Sequence, residues 1–223
     1  MQGRSRVNTP DSSKRVRKTG KQQAILDAAI SVFLEVGYES ASMELVAERA
    51  ATVRRTVYNH FANKEDLFHA VVQEIWRDMP VIMVNDDPLA RKDPDYGLRV
   101  IANMIVDFWL PQRSVEFLRM VISESRRFPY LAASFIEVGK LPALHGLIDY
   151  IELMVAEGHM KGMDTELAAR QFVGLINEPL LWYRVIDNSR GPSAKVIQNT
   201  VDAAIEMFLA RHATSPDFSA QAH

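Results

Sequence analysis

The 223-residue sequence contains no cysteine, which excludes disulfides, thiolate metal sites and cysteine nucleophiles and is compatible with a reducing cytoplasm. It has no G-x-S-x-G nucleophile turn, no H-E-x-x-H metal helix and no glycine-rich phosphate loop. His145 and His159 stand fourteen residues apart and make no metal pair, and no spacing singles out two carboxylates for acid–base work. No enzyme, metal or cofactor is expected from these absences. Long apolar runs are missing too: one of the most apolar windows, residues 101–110, still carries Asn103 and Asp107, so no membrane span is expected. The basic N-terminus leads into no apolar stretch with a small-residue cleavage site, so no secretory signal is expected and a cytoplasmic location is. Alternating strand patterns of convincing length are absent as well.

What is present is helical periodicity and an uneven charge. The formal net charge of -2 conceals 11 Lys or Arg against 6 Asp or Glu in residues 1–64, and 15 against 22 in residues 65–223. The first part attracts a polyanion and the remainder does not. Residues 1–18 carry six basic side chains and little apolar material, so they are expected to form a disordered arm, either crossing phosphates or simply solvated. Residues 21–36 follow a helical period through Ile25, Ala28, Ala29, Val32, Phe33 and Val36; Gly37 supplies a left-handed cap, after which Tyr38 folds back on Phe33. Asn63 with Asp66 marks the start of a fourth helix, and residues 85–94 read as a loop. Further helices are expected over 96–110, 114–127, 129–157, 164–187 and 192–212, with Pro142 either bending or splitting its segment. The expected fold is all-α with about nine helices: the arm over 1–18, a small domain over 19–66, a larger helical domain over 67–213 and a flexible tail over 214–223.

Residues 42–64, SMELVAERAATVRRTVYNHFANK, organise the small domain. Ser42 is placed to cap a helix carrying Val46, Ala47 and Ala50 on one face, and Thr52 to cap a second carrying Val53, Val57, Tyr58 and Phe61. A separation of about two residues suits a helix-turn-helix, whose second helix enters a DNA major groove. The outward positions of that helix, Arg54, Arg55, Thr56, Asn59 and His60, offer donors with no acid among them. An arginine fork matches the paired acceptors of guanine, so Arg54 and Arg55 are candidates for base reading, and Thr56 can meet a base methyl or a phosphate. Ser42 and Thr52, at the two helix openings, join this DNA-facing set, Ser42 with exposed amides beside it that suit a phosphate. A helical protein-binding module would explain the amphipathic helices but leave the donor face unexplained.

The same region resembles the tetracycline-repressor (TetR) family of bacterial transcription regulators. The likeness runs over residues 25–75 through I-L-x-A-A, F-x-x-x-G-Y, T-V-Y-x-H-F and x-N-K-E-x-L. It departs from the family pattern at Ala51, where glycine is common, at Val53, where serine or threonine often stands, and at Asn59, which replaces a common aromatic. A weaker likeness to a subgroup of the family lies in SESRRFPYLAASF and GMDTELAARQFVGLINEPLLW. The resemblance implies an all-helical homodimer whose first three helices bind double-stranded operator DNA and whose remaining helices bind a small-molecule effector and dimerise, mostly in repression. It implies base contacts for Arg54 and Arg55 and puts Tyr58, Asn59, His60 and Lys64 in the phosphate-contacting stretch, although the Tyr58 ring can also pack in the small core.

In the larger domain, Trp76, Met79, Met83, Met104, Phe108, Trp109, Met120, Phe135, Met154 and Trp182 are candidates for an adaptable apolar effector pocket, and ordinary core packing would use the same residues. Asn177 and Glu178 interrupt the apolar VGLINEPLLWY; they either face inward and select a polar effector group or turn to water at a bend made by Pro179. Stripes of Leu167, Phe172, Leu175, Val196, Val201, Ile205 and Phe208 in the last two long helices can meet a second copy of the chain or be consumed by the core of one.

Overall fold

The computed structural model describes residues 20–77, 81–187 and 190–214, so the expected basic arm and all but the first residue of the expected tail lie outside the described residues. Among those described, the chain is all-α, as expected, apart from one isolated antiparallel bridge between Met160 and Ala213.

Helix α1 (Gly20–Ser40) buries Ile25, Leu26, Ala29, Val32 and Phe33, and it is interrupted at Gly37, whose φ of 78° is left-handed. The Tyr38 ring turns back to lie 5.4 Å from that of Phe33. Helix α2 (Met43–Arg49) is capped by Ser42, whose Oγ accepts from the Leu45 N–H at 3.1 Å. Helix α3 (Arg54–His60) is capped at Val53 and not, as expected, by Thr52, because the turn draws the Thr52 N–H back to the Ala47 carbonyl at 2.9 Å. Ala51 makes this turn with a left-handed φ of 49°. With the helix starting at Arg54, its inner face reduces to Val57, with Phe61 buried just past its end; Val53 and Tyr58, expected on the apolar face, lie outside. Helix α4 (Lys64–Trp76) opens on Asn63, whose Oδ1 accepts from the Asp66 N–H at 2.8 Å, and buries Leu67, Phe68, Val71 and Val72.

The segment expected to be a loop contains the end of a 3-10 turn (Val81–Asp86), the whole of α5 (Pro88–Lys92) and the start of α6 (Pro94–Trp109). Each helix opens on an Asp-Pro pair: Asp87 accepts from the Leu89 N–H, Asp93 accepts from those of Asp95 and Tyr96, and the proline fills a first-turn position where no N–H is needed. The acids and prolines that read as loop punctuation are therefore helix caps.

Helices α7 (Gln112–Glu124), α8 (Pro129–Ser134), α9 (Leu141–Ala156), α10 (Thr165–Asn177), α11 (Tyr183–Asp187) and α12 (Ala194–His212) complete the bundle. A π-helical turn, Phe135–Lys140, joins α8 to α9, and a second, Glu178–Trp182, joins α10 to α11. Pro142 therefore does not split its segment; the widened turn before it accommodates a residue that cannot donate to the helical ladder. The resulting rod, Pro129–Ala156, is long and apolar enough by length and composition to cross a membrane, with an 18-residue window of mean hydropathy 1.3, which corrects the expectation that no such stretch exists. Its Leu131, Phe135, Leu144, Leu147, Tyr150, Ile151 and Met154 are buried in the bundle, while Glu137, Lys140, His145, Asp149 and Glu152 are exposed.

Two polar contacts lock the bundle. The Tyr150 hydroxyl donates to the Ala90 carbonyl at 2.8 Å and rests against Gly97, where a Cβ would come within 1.9 Å of it. Burial pushes the Tyr150 phenol up. Arg184, itself buried, donates to the Trp109 and Leu110 carbonyls at 2.6 and 3.0 Å, which closes the C-terminus of α6.

Candidate DNA-reading face and effector cavity

Arg54, Arg55, Tyr58, Asn59 and His60 are exposed along α3, while Ser42, Thr52 and Thr56 are half-buried at its edges. The face is not free of acid, contrary to the reading of α3 alone. Glu44 reaches across from α2, and its Oε1 lies 2.6 Å from Arg54 Nε. The Arg54 guanidinium also stands 5.1 Å from the centre of the Tyr58 ring, and the Tyr58 hydroxyl and Glu44 push its pKa further up. Arg54 is thus held in an ion pair with Glu44, whereas Arg55 has no ion pair among the described residues.

Lys64 turns inward. Its Nζ donates to the carbonyls of Tyr38, Glu39 and Ala41 at 2.8, 3.0 and 2.8 Å and lies 4.5 Å from the centre of the Tyr38 ring. It therefore closes the end of α1 onto the start of α4, a use beyond the phosphate contact that the family resemblance implies. Burial pulls its pKa down, and the nearby Glu124 and Glu39 carboxylates oppose this. Glu124, at the end of α7, meets the same turn from the other side. Its Oε1 accepts from the Tyr38 N–H at 2.8 Å, in a position that a Cβ on Gly37 would crowd at 2.7 Å. Around this point the Tyr38 ring contacts Phe68, Phe128 and Tyr130 at centroid distances of 5.5, 5.2 and 5.6 Å. The core around the helix-turn-helix is thus continuous with α4, α7 and α8.

The other end of α4 borders a cavity of about 140 Å³. Of the expected pocket residues, Trp76, Trp109, Phe135, Asn177 and Trp182 line it. Met104, Phe108, Met120 and Met154 do not: Met154 is wholly buried in the core, Met120 is buried on α7, Met104 is partly buried against the core, and the Phe108 ring backs Trp76 at 4.3 Å. Glu178 is exposed and faces a different groove with Met207 and Arg211, so Asn177 turns inward and Glu178 outward. Met79 and the side chain of Met83 lie outside the described residues. Unforeseen lining comes from Ile101, Ile105, Leu118, Lys140, Ala143, Leu144, Leu147, Val173 and Leu181. Pairs such as Ile101 with Ile105 and Lys140 with Leu144 have i, i+4 spacing, but spacing alone does not tell which apolar faces meet around a gap. The Trp76 indole lies flat on the π turn, where a Cβ on Gly139 would come within 2.3 Å of Nε1.

The expected dimer stripe divides. Phe172, Val201, Ile205 and Phe208 are consumed by the core of one chain, because α10 and α12 pack on each other, with the rings of Phe172 and Phe208 5.2 Å apart. Leu167 and Val196 stay outward, 52% and 46% exposed, and the half-buried Leu175 shares a groove with the exposed Met207.

Known proteins match both parts. Residues 25–71 match the family described as bacterial regulatory proteins, tetR family, and residues 96–214 match the C-terminal domain of AefR-like transcriptional repressors. The chain is 30% identical over 107 residues to a nicotine-responsive transcriptional repressor of Paenarthrobacter nicotinovorans, covering 46% of this chain and 50% of that protein. It is 31% identical over 117 residues to the repressor NicS of Pseudomonas putida, covering 49% and 54%. Across these and two further curated relatives, the chain spans between 22% and 54% of their length. A TetR-family regulator of Mesorhizobium loti superposes with a TM-score of 0.77 at 25% identity, covering 87% of this chain and 97% of that one. The flavonoid-responsive regulator FrrA superposes with a TM-score of 0.70 at 27% identity, with the same coverage. The chain belongs to the TetR family of bacterial regulatory proteins and carries the C-terminal domain of its AefR-like group.

Proposed function

We propose that this chain is a ligand-responsive repressor acting as a two-fold homodimer, released from double-stranded operator DNA by a small apolar or amphipathic effector. As a TetR-family regulator it is not an enzyme. Residues 19–66 form the DNA-binding part in this reading, and residues 67–213 form the effector and dimerisation part. The observation that carries it is the reach of α4: Trp76 at one end borders the cavity, and Lys64 at the other is bonded to the end of α1. These ends are about 18 Å apart at the helical rise per residue. An effector that displaces Trp76 tilts α4 and carries the reading helix with it.

Arg54 and Arg55 read base edges, and Ser42, Thr52, Thr56, Tyr58, Asn59 and His60 border the backbone or base methyls. Leu167, Leu175, Val196 and Met207 face the second protomer, which sets the two reading helices to meet successive major grooves about 34–36 Å apart. Relatives named for responses to nicotine and to flavonoids support a small organic effector here.

The test measures effector affinity twice, for free protein and for protein saturated with a selected operator duplex. Each tenfold weakening on the operator complex corresponds to about 1.4 kcal/mol of coupling. Equal affinities would refute ligand-gated release, and a monomer by sedimentation, both free and on a palindromic duplex, would refute the dimer.

A further inference from the structure

We propose that the effector is a compact aromatic carboxylate, with its ring against the tryptophans and its anionic group at Lys140. This inference rests on the cavity being the effector site and adds the chemical class. The size comes first. A cavity of about 140 Å³ is close to the ~150 Å³ of an engineered apolar cavity that binds benzene. Drug-sized ligands fill pockets of about 300–1,000 Å³, so a single ring matches this cavity more closely than a long or fused ligand.

The wall chemistry selects the shape. Trp76, Trp109 and Phe135 are three aromatic neighbours, with Trp76 set 6.3 Å from Trp109 and 5.4 Å from Phe135, both edge-on. They offer faces and edges to a planar guest. Trp182 stands at the lining's exposed side, 45% exposed.

The polar groups select the charge. Lys140 is the charged residue among the lining side chains, and no Asp or Glu lines the cavity among the described residues. Lys140 is exposed and has no ion pair among the described residues, so its ammonium is available at the mouth. The outward turn of Glu178 removes the one carboxylate that would have favoured a cation. The Asn177 amide also stands on the wall. An anionic group on an aromatic ring pairs with Lys140, whereas an aromatic amine meets it with like charge.

All three tryptophans of the chain line this cavity, so intrinsic fluorescence of the full-length protein reports binding directly. Benzoate, benzamide and benzylamine are titrated against the protein and against Lys140→Gln, with thermal unfolding of both to establish that the variant is folded. Benzoate is expected to bind at least about tenfold more tightly than benzamide, a difference of about 1.4 kcal/mol, and benzylamine more weakly than either. In Lys140→Gln the preference for benzoate is expected to fall within about twofold while benzamide affinity holds. Benzoate no tighter than benzamide, tighter benzylamine, an unchanged preference in the variant, or no binding of any of the three overturns the proposal. These titrations contain no DNA. If the carboxylate preference holds and operator affinity does not respond, the regulatory reading fails alone; if a neutral compound releases operator and no carboxylate preference exists, this inference fails alone.

Discussion

Replacing Lys64 by methionine separates a joint from a DNA contact. The ammonium holds three carbonyls, of Tyr38, Glu39 and Ala41, at 2.8–3.0 Å. A hydrogen bond to a charged group contributes about 1.5–3 kcal/mol. Three bonds sharing one half-buried ammonium do not add, and water replaces part of them from the open side, so the expected loss is about 2–3 kcal/mol. Methionine keeps an unbranched stem and a favourable contact over the Tyr38 ring, which limits the loss to the polar term. For a chain of this size each kcal/mol moves Tm by about 2–4 °C, so Tm is expected to fall by about 4–12 °C. Thermal unfolding supplies that number, and operator titration across a salt series supplies the second. A lysine spent on α1 leaves the logarithmic salt slope unchanged, whereas a lysine spent on one phosphate lowers it by about 0.9. A Tm within about 2 °C of the parent, together with a reduced slope, would refute the joint.

Glu44→Gln frees Arg54 from its ion pair and removes a negative charge from the reading face, so operator affinity is expected to rise several-fold at low salt; a fall would mean that Glu44 orients Arg54 productively. Ala51→Gly relieves a left-handed residue at φ 49° and is expected to stabilise by about 1 kcal/mol, read as a Tm increase of about 2–4 °C; a decrease would show that the turn carries no strain. Gly97→Ala places a Cβ 1.9 Å from the Tyr150 hydroxyl and is expected to destabilise by about 2–4 kcal/mol through overpacking and loss of the bond to Ala90; denaturant unfolding with an unchanged midpoint would contradict this. The Gln198 amide and Arg99 hold the Asp202 pKa below its ordinary 3.8, so the stability this carboxylate adds is fully present above pH 3.8 and is lost as pH falls through the lowered folded-state value. Asp202→Asn is expected to lower Tm slightly at neutral pH, by less than about 1 kcal/mol for a half-exposed pair, with the gap to the parent closing below pH 3.8; a gap that widens in acid would reverse the sign.

The sequence by itself determined which segments are helices and where most of them begin. Gly37 ends the regular part of α1, and Ser42, Asn63, Asp164 and Ser193 cap the helices that follow them, because capping is a matter of a side chain and the amides two or three residues on. The same local chemistry in Asp87-Pro88 and Asp93-Pro94 reads equally as a loop, since an acid followed by proline punctuates turns and opens helices alike. The donors along α3 were legible from periodicity. Glu44 on Arg54, the three carbonyls on Lys64 and Glu124 on the Tyr38 amide were not, because each joins residues from different elements. The cavity was half legible: aromatic residues named its walls, but Met154 and Trp76 read alike as apolar positions, and only packing sends one into the core and the other to a void. Asn177 and Glu178 are adjacent in sequence, yet one lines the cavity and the other is exposed. On a helix neighbouring side chains diverge by about 100°, and the rotation of α10 about its axis is set by the helices packed against it, which tertiary structure alone decides.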